Sequence, residues 1–178
     1  MNRPVVGTLS ILALLAAGLY FAFNYKDSSG GDDARKSYQG AAARSAIQAH
    51  LDLALPKQAD DIHCFVEEVD RTKLVFARFD VSPIEIPSIL GQHSRLPAPG
   101  DLKPDATLQS AMAALADPRR SWWQIDPADK SLSCAQRSGQ RNVAPATLKW
   151  RVQVATTSPP GSATTRVYVA LSEEPANP

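Results

Sequence analysis

The sequence predicts an α+β protein: an N-terminal transmembrane helix followed by an antiparallel four-stranded sheet, built of two hairpins and packed on two or three helices. Three observations carry this expectation. Residues 4–25 form one uncharged apolar run. Two segments, IHCFVEEVDRTKLVFARFDV (62–81) and TLKWRVQVAT with TTRVYVALS (147–172), alternate apolar and polar side chains with the period of a strand. Two further segments, at 34–55 and 107–117, lack internal proline and repeat apolar residues at helical spacing.

The opening stretch, MNRPVVGTLSILALLAAGLYFAFNY, has Arg3 and then no charge until Lys26. About 20 apolar residues suffice to cross a hydrocarbon layer as a helix. Arg3 and the amino terminus would keep the short leading end in the cytoplasm, and Tyr20, Phe21, Phe23 and Tyr25 would sit at the far membrane–water boundary. This predicts an inner-membrane anchor with a periplasmic C-terminal domain. A cleaved signal peptide is the rival, although Ala16, Ala17 and Gly18 are followed by more aromatic residues rather than by a polar cut site. The organisation that follows is an anchor or signal at 1–25, a Ser/Gly/Asp-rich tether at 26–36 and a folded domain at 37–178.

Within that domain, ARKSYQGAAARSAIQAHLDLAL (34–55) places Ile47, Leu51 and Leu55 on one stripe and ends at Pro56, which predicts a packed helix. The first hairpin turns at Asp70-Arg71-Thr72. SPIE (82–85) has the residues of a helix start, with Pro87 moving that start later. LPAPGDLKPD (96–105) reads as a loop and TLQSAMAALAD (107–117) as a short helix. In the second hairpin Leu148, Trp150, Val152 and Val154 face inward with Val167, Val169 and Leu171; the other side, with Arg166, Tyr168 and Ser172, reads as wet.

With 19 Lys+Arg against 18 Asp+Glu, the net charge is +1, which gives no reason to expect nucleic acid as a partner. Cys64 and Cys134 are the only cysteines, and in an exported domain they read first as a disulfide, two buried thiols being the alternative. His50, His63 and His93 lie in three different elements without ligand spacing, so no metal is expected, and no phosphate loop points to a cofactor. Glu67, Glu68, Asp70 and Asp80 crowd the first hairpin, but carboxylates on a sheet face ordinarily pair with neighbours such as Arg78. A hydrolase using Glu67 or Glu68 is therefore the minority reading.

RSWWQIDP (120–127) is the most distinctive short stretch. Neighbouring residues on an extended segment point to opposite sides, so one core does not easily take both Trp122 and Trp123. One indole is expected to seal the core. The other, with Arg119 and Arg120 between Pro118 and Pro127, either lies flat on the surface or forms a stiff platform for a partner.

LDLALPKQADDIHCFVEE, RFDVSPIEIP, SWWQID and the closing strand pair resemble a loose group of uncharacterised bacterial envelope proteins over about residues 45–172. The resemblance implies an envelope-anchored α+β domain and brings no activity with it. Several members of that group have a lipidated cysteine where this chain has its apolar run. Some small envelope-anchored proteins of this build neutralise toxins from rival cells, an analogy of build alone. The reading that results is a membrane-anchored periplasmic module recognising a partner protein through Arg119, Arg120, Trp122 and Trp123, as an immunity or envelope-complex protein. Cell-wall glycan or peptide on the same platform is the alternative.

Overall fold

The computed structural model describes residues 34–144 and 146–176. The apolar run at 4–25 and the tether up to residue 33 lie outside the described residues, among which no helix is long and apolar enough to cross a membrane. The domain is built on one antiparallel sheet of six strands, not four. These are β1 (Arg35–Gln39), β2 (Asp60–Val69), β3 (Thr72–Val81), β4 (Ser133–Val143), β5 (Ala146–Thr157) and β6 (Thr165–Pro175), in the order β1-β2-β3-β6-β5-β4. Three helices accompany them: α1 (Gly40–Leu51), α2 (Ile86–Gly91) and α3 (Ala106–Ala113).

Both predicted hairpins are present. β2 and β3 are joined through Asp70 and Arg71, whose φ angles of 48° and 68° give the left-handed pair that matches strand twist. β5 pairs with β6 from Leu148↔Pro175 to Thr157↔Arg166. β3 and β6 then join the two hairpins at the centre of the sheet. The two additional strands are the edges. β1 begins at Arg35 and Lys36, which the sequence suggested as tether, and the helix starts only at Gly40, whose φ of 56° makes the corner. β4 is SCAQRSGQRNV, a polar segment without the alternation that marks a half-buried strand.

Each face of the sheet has its own core. On the first face, Ile47 and Leu51 of α1, Leu53, and Ile89 and Leu90 of α2 cover Cys64, Val66, Val75, Phe79, Val154, Val169 and Leu171. Arg44 holds the chain leaving α1 by donating to the carbonyls of Leu55, Pro56 and Ala59 at 2.7–3.1 Å. On the second face, Met112 of α3, Trp122, Trp123 and Leu132 cover Phe65, Phe76, Ala155, Tyr168 and Ala170. The wet face expected of the second hairpin is only partly present: Lys149 and Arg151 are exposed on it, but Tyr168 is buried beneath Trp123 and donates to the Gln124 carbonyl at 2.6 Å. α3 starts where Asp105 accepts from the amides of Thr107 and Leu108, both at 3.0 Å.

One excursion, residues 82–132, supplies covering to both faces. It runs along the first face through α2 and Leu96, then passes around the outer edge of β4 to reach the second. At that crossing Lys103 and Cys134 exchange backbone hydrogen bonds of 2.9 and 3.2 Å.

The disulfide reading is corrected. Cys64 and Cys134 are both free and buried. Cys64 belongs to the first core and Cys134 to the second, so they lie on opposite faces. Their strands stand four spacings apart in the sheet, about 19 Å, against the roughly 4–7 Å between Cα atoms that a bridge needs. Burial pushes the Cys64 thiol up to about 12 and that of Cys134 to about 11, so neither is a thiolate at neutral pH.

Candidate functional site

Residues 118–126 do not form the exposed platform expected of them. Trp122 and Trp123 are 9% and 1% exposed. Both fit into one core because the segment is a tight turn rather than an extended strand. A 3₁₀ turn at Pro118–Arg120 is followed by bonds from the Trp123 amide to the Arg120 carbonyl and from the Gln124 amide to the Trp122 carbonyl. Trp123 meets Phe76 and Tyr168 edge-on at 5.3 and 5.2 Å, and its Nε1 donates to the Met112 carbonyl at 3.0 Å. Trp122 stacks on His63 at 5.3 Å.

The arginines are structural too. Arg120 is buried with its guanidinium 3.8 Å above the Phe76 ring and donates to the Leu115 carbonyl at 2.7 Å. Arg119 chelates Asp117 with bonds of 2.9 and 2.6 Å and stands 3.7 Å from Glu67. Its bonds hold the Asp117 carboxyl down at about 2. The four residues thus come together as a fastening for the second core.

The carboxylates of the first hairpin separate in the same way. Glu67 lies buried on the second face against Arg35, and Glu68 is exposed on the other side of the strand. Adjacent strand residues cannot converge on one bond, so the two do not form a hydrolase pair. Asp61 sits at a bulge in β2 with φ of 47°, and gathers His63 (2.8 Å), Arg78 (2.5 Å) and Arg166 (3.2 Å). Burial alone would raise its pKa, but the His63 and Arg78 bonds outweigh that and keep it below the usual carboxylate value. Arg78 also donates to the Trp122 carbonyl at 2.5 Å, so this network ties the bulge to the tryptophan turn.

A polar concave site lies elsewhere, at the opposite end of the first face. A polar cleft of about 510 Å³ opens between the end of α1, the turn after α2 and strands β3, β6, β5 and β4, which is the size range of small-ligand sites. Glu173 of β6, only 4% exposed, is clasped by Arg95 at 2.7 Å and Arg141 of β4 at 2.9 Å. His93 accepts from the Arg95 amide at Nδ1, so its proton is on Nε2, which faces Asp52 at 3.2 Å. Burial, aided by Lys73, lowers the His50 pKa and leaves that ring neutral at pH 7. The half-buried indole of Trp150 forms part of the wall. It lies directly across Gly139, where a Cβ would come within 2.7 Å of its Cζ2. Among the described residues, no group of three or more His, Cys, Asp or Glu could hold a metal ion.

The cleft runs out to the hairpin of β4 and β5. Residues 133–157 include Arg137, Arg141, Lys149 and Arg151 and no acidic residue. Arg137, Lys149 and Arg151 are exposed. The cleft could not be assembled from the sequence, because Arg95 and Glu173 are far apart in the chain and meet only through the sheet order. The absence of carboxylates across the 25 residues from 133 to 157 was the available signal. No protein-family model, no curated protein and no solved structure matches the chain.

Proposed function

We propose that the domain is a protein-binding module, held at the cell envelope by residues 4–25 and engaging a partner protein as a toxin-neutralising or envelope-complex component. The observation that supports this reading is the β4–β5 hairpin. Its outer strand β4 is a sheet edge, and residues 133–157 carry four cations and no carboxylate: Arg137 and Arg141 lie on the face of the polar cleft, Lys149 and Arg151 on the opposite face. Such a surface complements an acidic partner and steers its approach. Two of the cleft's proton-bearing side chains are committed to neighbours, Glu173 to two arginines and His93 to Asp52. The apolar run at 4–25 supports the envelope location; the cysteines no longer contribute to it.

Affinity capture from envelope extracts with the intact chain tests the proposal. A partner retained by wild type and by Lys57→Glu, an exposed charge outside the hairpin, should be lost by the Lys149→Glu/Arg151→Glu double variant. Capture indifferent to reversal of those two charges, or no captured protein at all, removes the reading. Binding of cell-wall glycan or peptide is the second reading, favoured by the Trp150 ring in the cleft wall. Co-sedimentation with purified cell wall separates the two.

A further inference from the structure

The outer edge of β4 has a definite hydrogen-bonding polarity. At Cys134 the amide and carbonyl point away from β5, since both are bonded to Lys103. In an antiparallel strand this direction alternates with period two. Gln136, Ser138, Gln140 and Asn142 therefore also present their backbone groups outward, while Arg137, Gly139 and Arg141 bond inward to β5. Beyond Cys134 no described strand pairs with this edge. Natural sheets usually block such an edge with a short strand, a proline or a covering element. Here the wrap at Lys103 covers one end, and among the described residues no backbone pairs with the stretch 136–143, although the Arg137 guanidinium donates to the Leu96 carbonyl at 3.3 Å.

The side chains along that open stretch also follow a pattern. Arg137, Gly139 and Arg141 share the first face at i, i+2 and i+4, and Trp150 lies across the glycine between the two arginines. A strand laid against β4 would meet a cation, an aromatic ring and a second cation at alternate positions. Glu173 offsets part of this charge, but Arg95 shares it, so the edge keeps an excess of positive charge. A second copy of the chain fits poorly. Pairing this edge with itself around Ser138–Gln140 places arginines opposite or diagonal to one another, which is destabilising.

We infer that the open edge of β4 receives an extended acidic segment of the partner protein as a seventh strand, reading carboxylate–x–apolar–x–carboxylate along one face. This rests on the protein-binding reading above and specifies its chemistry. Backbone bonds to the outward groups supply affinity, and the Arg137/Trp150/Arg141 row selects the sequence.

The test uses the intact chain and a blocked synthetic peptide with the core Glu-Thr-Leu-Thr-Glu. Controls are a scrambled peptide of equal composition and one with lysine for glutamate. Amide hydrogen exchange should slow by about tenfold or more at Gln136, Ser138, Gln140 and Asn142 with the first peptide only. The amides of Arg137, Gly139 and Arg141, already bonded to β5, should change little. Ser138→Pro removes one outward amide and leaves the β5 ladder intact, a substitution edge strands tolerate. It should weaken the peptide about tenfold, as should the exposed-site Arg137→Glu, which remains informative if the proline variant does not fold. Three results overturn the inference: no peptide-dependent protection, equal binding of the scrambled peptide, or protection that appears with chain concentration alone, which would assign the edge to a second copy. A partner lost on Lys149→Glu/Arg151→Glu but retained by Ser138→Pro and Arg137→Glu would refute strand addition and leave the protein-binding reading standing.

Discussion

Replacing Trp123 by alanine separates the core role described above from any role as a surface platform. The indole is 1% exposed, touches the Phe76 and Tyr168 rings edge-on, and bonds the Met112 carbonyl of α3. Truncating a buried tryptophan costs about 3–5 kcal/mol, because transfer energy is lost and the cavity closes only in part. In a domain of roughly 150 residues each kcal/mol moves the melting temperature by about 2–4 °C. The expected fall is therefore about 6–20 °C, read by circular dichroism or differential scanning calorimetry on the intact chain. Trp123→Phe keeps the edge-on packing but loses the bond to Met112, and should fall by roughly half as much. Lys57→Ala provides the contrast, because that exposed side chain lies outside the core and should change stability by about 0.5 kcal/mol or less. A Trp123→Ala protein melting within about 2 °C of wild type would refute the burial argument.

Other outcomes follow from the same geometry. Gly139→Ala should displace the Trp150 indole, since the new Cβ would lie 2.7 Å from Cζ2, and should cost about 1–3 kcal/mol, visible as a lower melting temperature and altered tryptophan fluorescence. Iodoacetamide at pH 8 should leave the native chain unlabelled and add two labels in denaturant without reductant, because both thiols are free, buried and pushed above 10; an unlabelled denatured chain would reinstate a bridge. Asp117 is depressed to about 2 in the fold, so its contribution is present in full above about pH 4 and is lost as pH falls towards 2. Asp117→Asn should therefore lower stability at pH 7 and flatten the acid limb of the melting-temperature profile between those values.

How far the fold was legible follows from where polarity and burial coincide. β2, β3, β5 and β6 are central strands with one or both faces packed, so their apolar alternation is written in the sequence. β4 and β1 are edges, and an edge with a solvated side can be polar throughout, as SCAQRSGQRNV is. The tryptophan pair departs from the sequence expectation because the opposite-pointing rule holds for extended backbone, and the Asp117–Arg120 turn is not extended. The cysteine pair failed for a related reason: count and loop length are visible in a sequence, but which face of a sheet each sulfur occupies depends on strand order. Strand order also decided the cleft. Glu173, Arg95 and Arg141 converge only because β6 and β5 separate β3 from β4. The cation-only composition of 133–157 was legible throughout, although it gave no geometry.

The central β3–β6 seam bears on how this chain is made. Lys73 lies against Glu173 and Val81 against Thr165, so the middle of the sheet closes only when the final strand arrives. Until then β3 offers an inner rim rich in valine and phenylalanine to any passing chain, and hairpins formed early must wait for their neighbour. Folding of the domain is therefore expected to be slow and prone to clumping until β6 is available, with a holding chaperone most valuable during that interval.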